Sequence, residues 1–121
     1  MYAEQHAPLS QQLELVFRAL KDELASLASG TVFLQIRNNL IGKFGVKHDL
    51  IPSSNGALPG MNRGLQEHHQ EALRRAGLQS LTRKKWTHGE VSLAFQLKDD
   101  ALMANIQMES NYNMSNLPFR S

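Results

Sequence analysis

Val91-Ser92-Leu93-Ala94-Phe95-Gln96-Leu97 and, after Lys98-Asp99-Asp100-Ala101, Leu102-Met103-Ala104-Asn105-Ile106-Gln107-Met108 are the residues that decide the fold class. In each run an apolar residue stands at every second position. Successive side chains of a strand point to opposite faces, so both runs read as strands with one buried face. Asp99-Asp100 between them is a two-residue turn, and the whole reads as an antiparallel hairpin. Upstream, His88-Gly89 reads as a further turn and Leu81–Thr87 as a third strand, which would complete a meander.

The same period of two appears near the N-terminus. Val32, Leu34 and Ile36 alternate with Phe33, Gln35 and Arg37. Asn38-Asn39 follows, and Asn tolerates the positive φ angles of a tight hairpin turn better than most residues. A second strand is expected from Leu40 to about Leu50, with Gly42 and Gly45 marking a bulge, a strong twist or a close backbone approach.

Two helices complete the pattern. Leu13, Val16, Phe17, Leu20, Leu24 and Leu27 recur at steps of three or four, with Glu14, Arg18, Lys21, Asp22 and Glu23 on the other face. This predicts an amphipathic helix over residues 11–29, with Ser10 as N-cap and Gly30 as stop. A second helix is expected over 63–76, with Asn62 as N-cap, a thin stripe of Leu65, His69, Ala72, Leu73 and Ala76, and Gly77 as stop. The segment 52–60 is a loop by its Pro and Gly content. Residues 1–9 read as an irregular lead-in, and 110–121 as a tail or a docked coil.

The expected fold is a single α+β domain spanning residues 1–121, in the order α-β-β-α-β-β-β. It would have a five-stranded, mainly antiparallel sheet with two helices packed on it. The order of elements resembles the profilin-like layout of roadblock-type domains, small proteins that dimerise and bind other proteins. The likeness is one of element order over most of the chain.

Composition narrows the function classes. With 121 residues, 41% of them hydrophobic and 20% charged, the chain suits one packed core. No cysteine is present, which excludes disulfides, thiolate metal sites and cysteine nucleophiles. The N-terminal residues show no signal-peptide pattern and no apolar run reaches the ~18 residues of a membrane span. A soluble, cytoplasmic protein is expected. The net charge of +2 is compatible with nucleic acid without requiring it.

Three groups of residues are candidate sites. The basic segment Arg83-Lys84-Lys85-Trp86, with Arg74 and Arg75 before it, has the residue types that contact phosphates and stack on bases. If the segment is a strand, its lysines equally suit a protected edge. The stretch from Gly56 to Gly64 leads into a helix N-terminus, where free N–H groups attract anions, and this nominates Gly60, Asn62 and Arg63 as ligand-binding residues. It matches neither the P-loop nor the dinucleotide fingerprint. His68 and His69 are adjacent and diverge around a helix axis. His68 with Glu71 makes a three-apart pair lacking further ligands, so no metal site and no cofactor are expected.

No serine, aspartate or histidine sits in a nucleophile or acid–base context. Phe33, Ile41, Ala101 and Met103 lie opposite the expected buried stripes. A sheet apolar on both faces needs cover, either from residues 112–119 or from a second copy. The leading expectation is a non-catalytic, self-associating binding or adaptor module, a homodimer. A nucleic-acid-binding protein using 74–86 and a small-anion binder or enzyme near 52–64 are the alternatives.

Overall fold

The computed structural model describes residues 7–60 and 63–116. It has an α+β architecture: α1 (Leu9–Leu24), β1 (Ser29–Arg37), β2 (Leu40–Lys47), α2 (Glu67–Leu81), β3 (His88–Lys98), β4 (Ala101–Ser110) and a short 3-10 turn at Met114–Asn116. The sheet has four strands, all neighbours antiparallel, in the order β2-β1-β3-β4. The expected fifth strand at Leu81–Thr87 does not form, so the element order on which the roadblock resemblance rested is not the order found.

The alternation that predicted the strands explains the core. Val32, Leu34 and Ile36 of β1 stand opposite Leu93, Val91 and Gly89 of β3, and all face the helices. Against them α1 lays Leu13, Val16, Phe17, Leu20 and Leu24, and α2 lays Leu73 and Leu81. Burying a Leu-sized side chain contributes roughly 1.5–3 kcal/mol, which makes this layer the main source of stability. The two hairpin turns are as expected: Asn38, Asn39, Asp99 and Asp100 all have positive φ.

The helix boundaries differ from the expectation, for identifiable reasons. Ser10 lies inside α1, because the Pro8 carbonyl already accepts the amides of Gln11 and Gln12, both at 3.0 Å. The helix stops at Leu24 and not at Ser29. The Leu24 carbonyl is taken by Leu27 N–H at 3.1 Å and by Leu65 N–H at 3.0 Å, from a chain segment that docks across the helix end. Gly64 makes this docking possible: a Cβ there would lie 2.3 Å from the Ala25 carbonyl oxygen. Gly30 is accordingly a β1 residue and no helix stop.

Helix α2 begins four residues later than expected, at Glu67, and continues through Gly77 to Leu81. Its N-cap is Gln66, while the expected cap, Asn62, lies outside the described residues. Gly77 is no terminator. It is buried where α2 crosses the core, with space for a Cβ limited by Leu93 at 3.1 Å and Leu13 at 3.4 Å. After Leu81 the chain runs as a connector to Thr87. Trp86 on it is buried, donates Nε1–H to the Leu81 carbonyl at 2.9 Å, and its backbone is tied to Asn39 by two further hydrogen bonds. These bonds satisfy the polar groups of Trp86 without a ladder. His88-Gly89, expected to be a turn, instead opens β3, and Gly89 leaves room for the Trp86 ring.

Strand β2 ends at Lys47, short of Leu50, and carries the bulge that its glycines suggested. The register shifts between Leu34 and Ile36, so that Gln35 faces both Gly42 and Lys43. A bulge reverses the alternation. Ile41 therefore pairs with Ile36 on the helix side, contrary to the expectation that it lies on the opposite face. The open face is mostly polar: Thr31, Gln35, Glu90, Ser92, Gln96, Asn105 and Gln107 surround Phe33 and Met103. It is not the second apolar face expected. No helix among the described residues is long and apolar enough to cross a membrane.

Candidate functional site

The two edges of the sheet are built differently. A free edge exposes unpaired N–H and C=O groups, and proteins blunt it with lysines, prolines, bulges or short strands. Strand β2 has such protection: eight residues, a bulge, two glycines, Lys43 and Lys47. Strand β4 has none of it. Its ten residues pair with β3 in unbroken register and include no lysine, proline or glycine. On its helix side Leu102, Ala104, Ile106 and Met108 form an apolar row that reaches beyond the cover of α2. Ile106 is 37% exposed and Met108 44%. Tyr112 and Met114, which could have folded over this row, are themselves exposed. Leu117 and Phe119 lie outside the described residues.

A second feature sits at the far end of the open face. The β1–β3 register places Arg37 directly opposite His88, and Gln35 opposite Glu90. Gln35 Nε2 donates to the Glu90 carboxylate at 3.4 Å. Lys43, at the β2 bulge, lies at the same place, and Asn111 follows from the end of β4. Together they line an open cleft of about 500 Å³. None of these residues was singled out from the sequence, because the pairs lie as far as 55 positions apart. Alternation did put Gln35 and Arg37 on one face, but it could not say that β3 would be their neighbour.

Comparison with protein-family models, curated proteins and solved structures gives no match.

The residues nominated from the sequence are dispersed. Arg74 is bound to Glu71 through Nε at 3.1 Å and through Nη2 at 2.6 Å, and Arg75 approaches the same carboxylate at 4.0 Å. The hydrogen bond from Arg74 holds the Glu71 carboxyl below, and raises the Arg74 guanidinium above, their ordinary values. Arg83 and Lys85 are exposed on the connector. Lys84 lies over the Trp86 ring, 4.7 Å from its centroid, and donates to Ser110 Oγ. The expected strand alternation of 83–86 is absent, and the buried Trp86 ring offers no face for a base.

Gly60 lines a shallow recess with Leu50, Ile51, Pro52 and Pro59. Arg63 is exposed in the coil ahead of α2, and Asn62 lies outside the described residues. The α2 N-terminus is already capped: Gln66 and His69 form a reciprocal capping box.

His69 illustrates how a buried polar residue is satisfied. Its Nδ1 accepts the Gln66 amide at 3.0 Å, which leaves the proton on Nε2, and Nε2 lies 2.9 Å from the Asp100 carbonyl oxygen. This neutral tautomer ties the start of α2 to the β3–β4 turn. His68, His69 and Asp100 lie close enough to resemble a metal cluster. Both His69 nitrogens are engaged, however, so ligation would cost one of these bonds and the α2 cap or the turn with it.

Proposed function

We propose that the protein is a binding module that self-associates through the β4 edge. The observation that carries this is the contrast between the two edges: β2 is bulged and lysine-bearing, whereas β4 is long, unbulged, apolar on one side and has no lysine, proline or glycine of its own. The occupant is a second copy, because β4 is complementary to itself. Antiparallel pairing about a two-fold axis keeps the apolar row on one face only if residue numbers in each facing pair sum to an even total. Centring the axis on Asn105 sets Leu102 of one copy opposite Met108 of the other and Ala104 opposite Ile106, so that apolar residues meet across the seam. Glu109, the only charged residue of β4, then faces Ala101, so no like charges meet. The product is a continuous sheet across both copies, an isologous arrangement.

The absence of cysteine makes a clean test available. Facing residues of an antiparallel pair have Cα atoms ~4.5–5.5 Å apart, within disulfide range. Asn105→Cys should therefore give a covalent dimer in high yield under mild oxidation, whereas Lys47→Cys in β2 should not. Equal yields from the two edges would remove the basis for the proposal.

A further inference from the structure

We propose that the cleft between β1, β3 and the β2 bulge is a binding site for a small oxyanion that carries a neighbouring hydroxyl group. Three observations lead to it, and none depends on the β4 edge.

The first is charge. Arg37 and Lys43 line the same cleft, and among the described residues neither enters an ion pair. Arg74 and Arg75, by contrast, share Glu71. Two neighbouring cations that form no ion pair favour an anion, and a guanidinium matches the two oxygens of a carboxylate or phosphate in a bidentate fork.

The second is the acceptor beside them. Glu90 belongs to the cleft but makes no ion pair with either cation, and Gln35 Nε2 fixes its carboxylate. An ionised carboxylate only accepts hydrogen bonds. A ligand that places its anionic group at Arg37 and Lys43 must therefore present a donor to Glu90. A hydroxyl serves, and His88 and Asn111 add polar groups at the rim.

The third is the bulge itself. It lets Gln35 face both Gly42 and Lys43, so that Gly42, which strict alternation from Gly45 would put on the helix side, joins Lys43 at the cleft. Gly42 beside it is not demanded by the fold: its φ is not positive, and an added Cβ would come no closer than 3.9 Å to anything, the Gln35 carbonyl oxygen being the nearest atom. What its missing side chain does leave open is the cleft.

The test is a titration of the isotope-labelled full chain followed by amide chemical shifts. Glycerol 3-phosphate and glycolate are the hydroxylated probes, distinguishing phosphate from carboxylate, with glycerol and inorganic phosphate as controls. At least one hydroxylated anion should give saturable shifts at Gly42, Lys43, His88 and Asn111, and glycerol should give none. Arg37→Gln should weaken binding by about tenfold or more, the usual loss for a charge-assisted hydrogen bond. Glu90→Gln should weaken the hydroxylated anion and spare inorganic phosphate. Gly42→Leu should fold, as its own spectrum will report, and bind neither. No saturable shift with either anion, or wild-type affinity in Arg37→Gln or Gly42→Leu, would overturn the assignment.

Discussion

Replacing Gly64 by Ala adds one methyl group to a buried strap of chain, and the consequence can be worked out from its surroundings. The new Cβ would lie 2.3 Å from the Ala25 carbonyl oxygen and 2.5 Å from both the Ala25 carbonyl carbon and the Leu27 nitrogen. All three are backbone atoms at the end of α1, so no side chain can rotate aside. The strap must lift by about an ångström to reach ordinary contact. That breaks the 3.0 Å bond from Leu65 N–H to the Leu24 carbonyl and draws Leu65, now 1% exposed, out of the core. Overpacking together with partial loss of one buried Leu should cost about 2–5 kcal/mol, a fall in melting temperature on the order of 10 °C. Gly60→Ala is the matched control, because nothing lies within 4 Å of its added Cβ and its φ is not positive. It should be neutral or stabilising by a few tenths of a kcal/mol, roughly, through the unfolded chain. Urea denaturation of both variants decides the matter. If Gly64→Ala unfolds at the wild-type midpoint, the docking of residues 63–65 on α1 is wrong.

Leu20→Ala should cost about 2–5 kcal/mol and exposed Arg18→Ala almost nothing by thermal melting. Gln12→Ala should fall between, near 1–2 kcal/mol, roughly, because Gln12 Oε1 accepts the Ile41 amide at 2.7 Å and its Nε2 donates to the Asn39 carbonyl at 3.2 Å. Trp86, the single tryptophan, should emit at short wavelength and resist iodide quenching, and single-stranded oligonucleotides should leave its emission unchanged. A quenched signal on adding oligonucleotide would revive base stacking on this residue. The Glu71 carboxyl titrates below its ordinary value because Arg74 bonds the charged form. Its contribution is thus present at neutral pH and is lost as pH falls through that lowered value. Arg74→Met should move the Glu71 titration upward when followed by NMR, and an unmoved titration would contradict the pairing.

The parts of this fold that sequence disclosed are those where periodicity runs uninterrupted. The stripe from Leu13 to Leu24, the alternation from Val91 to Leu97 and from Leu102 to Met108, and the Asn-Asn and Asp-Asp turns all describe local geometry, and local geometry is what residue spacing encodes. The misreadings occur where a tertiary contact overrides the local signal. Leu81 and Trp86 looked like strand residues, yet one ends α2 and the other buries its ring under Gly89. Gly77 looked like a helix stop, but it is a close approach to Leu93 and Leu13. The β2 bulge inverted the faces of Ile41 and its neighbours, a one-residue effect that alternation cannot foresee. The Arg37–His88 and Gln35–Glu90 pairs depend on which strands become neighbours.

The central claim is that the β4 edge is where two copies of the chain meet. Sedimentation equilibrium of the wild type and of Met108→Lys tests it most directly. Met108 is 44% exposed on the apolar row of β4, so a lysine there can reach water in the single chain and leave its fold intact, while in the paired sheet it lies in the apolar row. The wild type should sediment near twice 13.6 kDa in the high micromolar range, and Met108→Lys near 13.6 kDa at the same concentration. A monomeric wild type, or a dimer that the lysine does not weaken, would contradict the account.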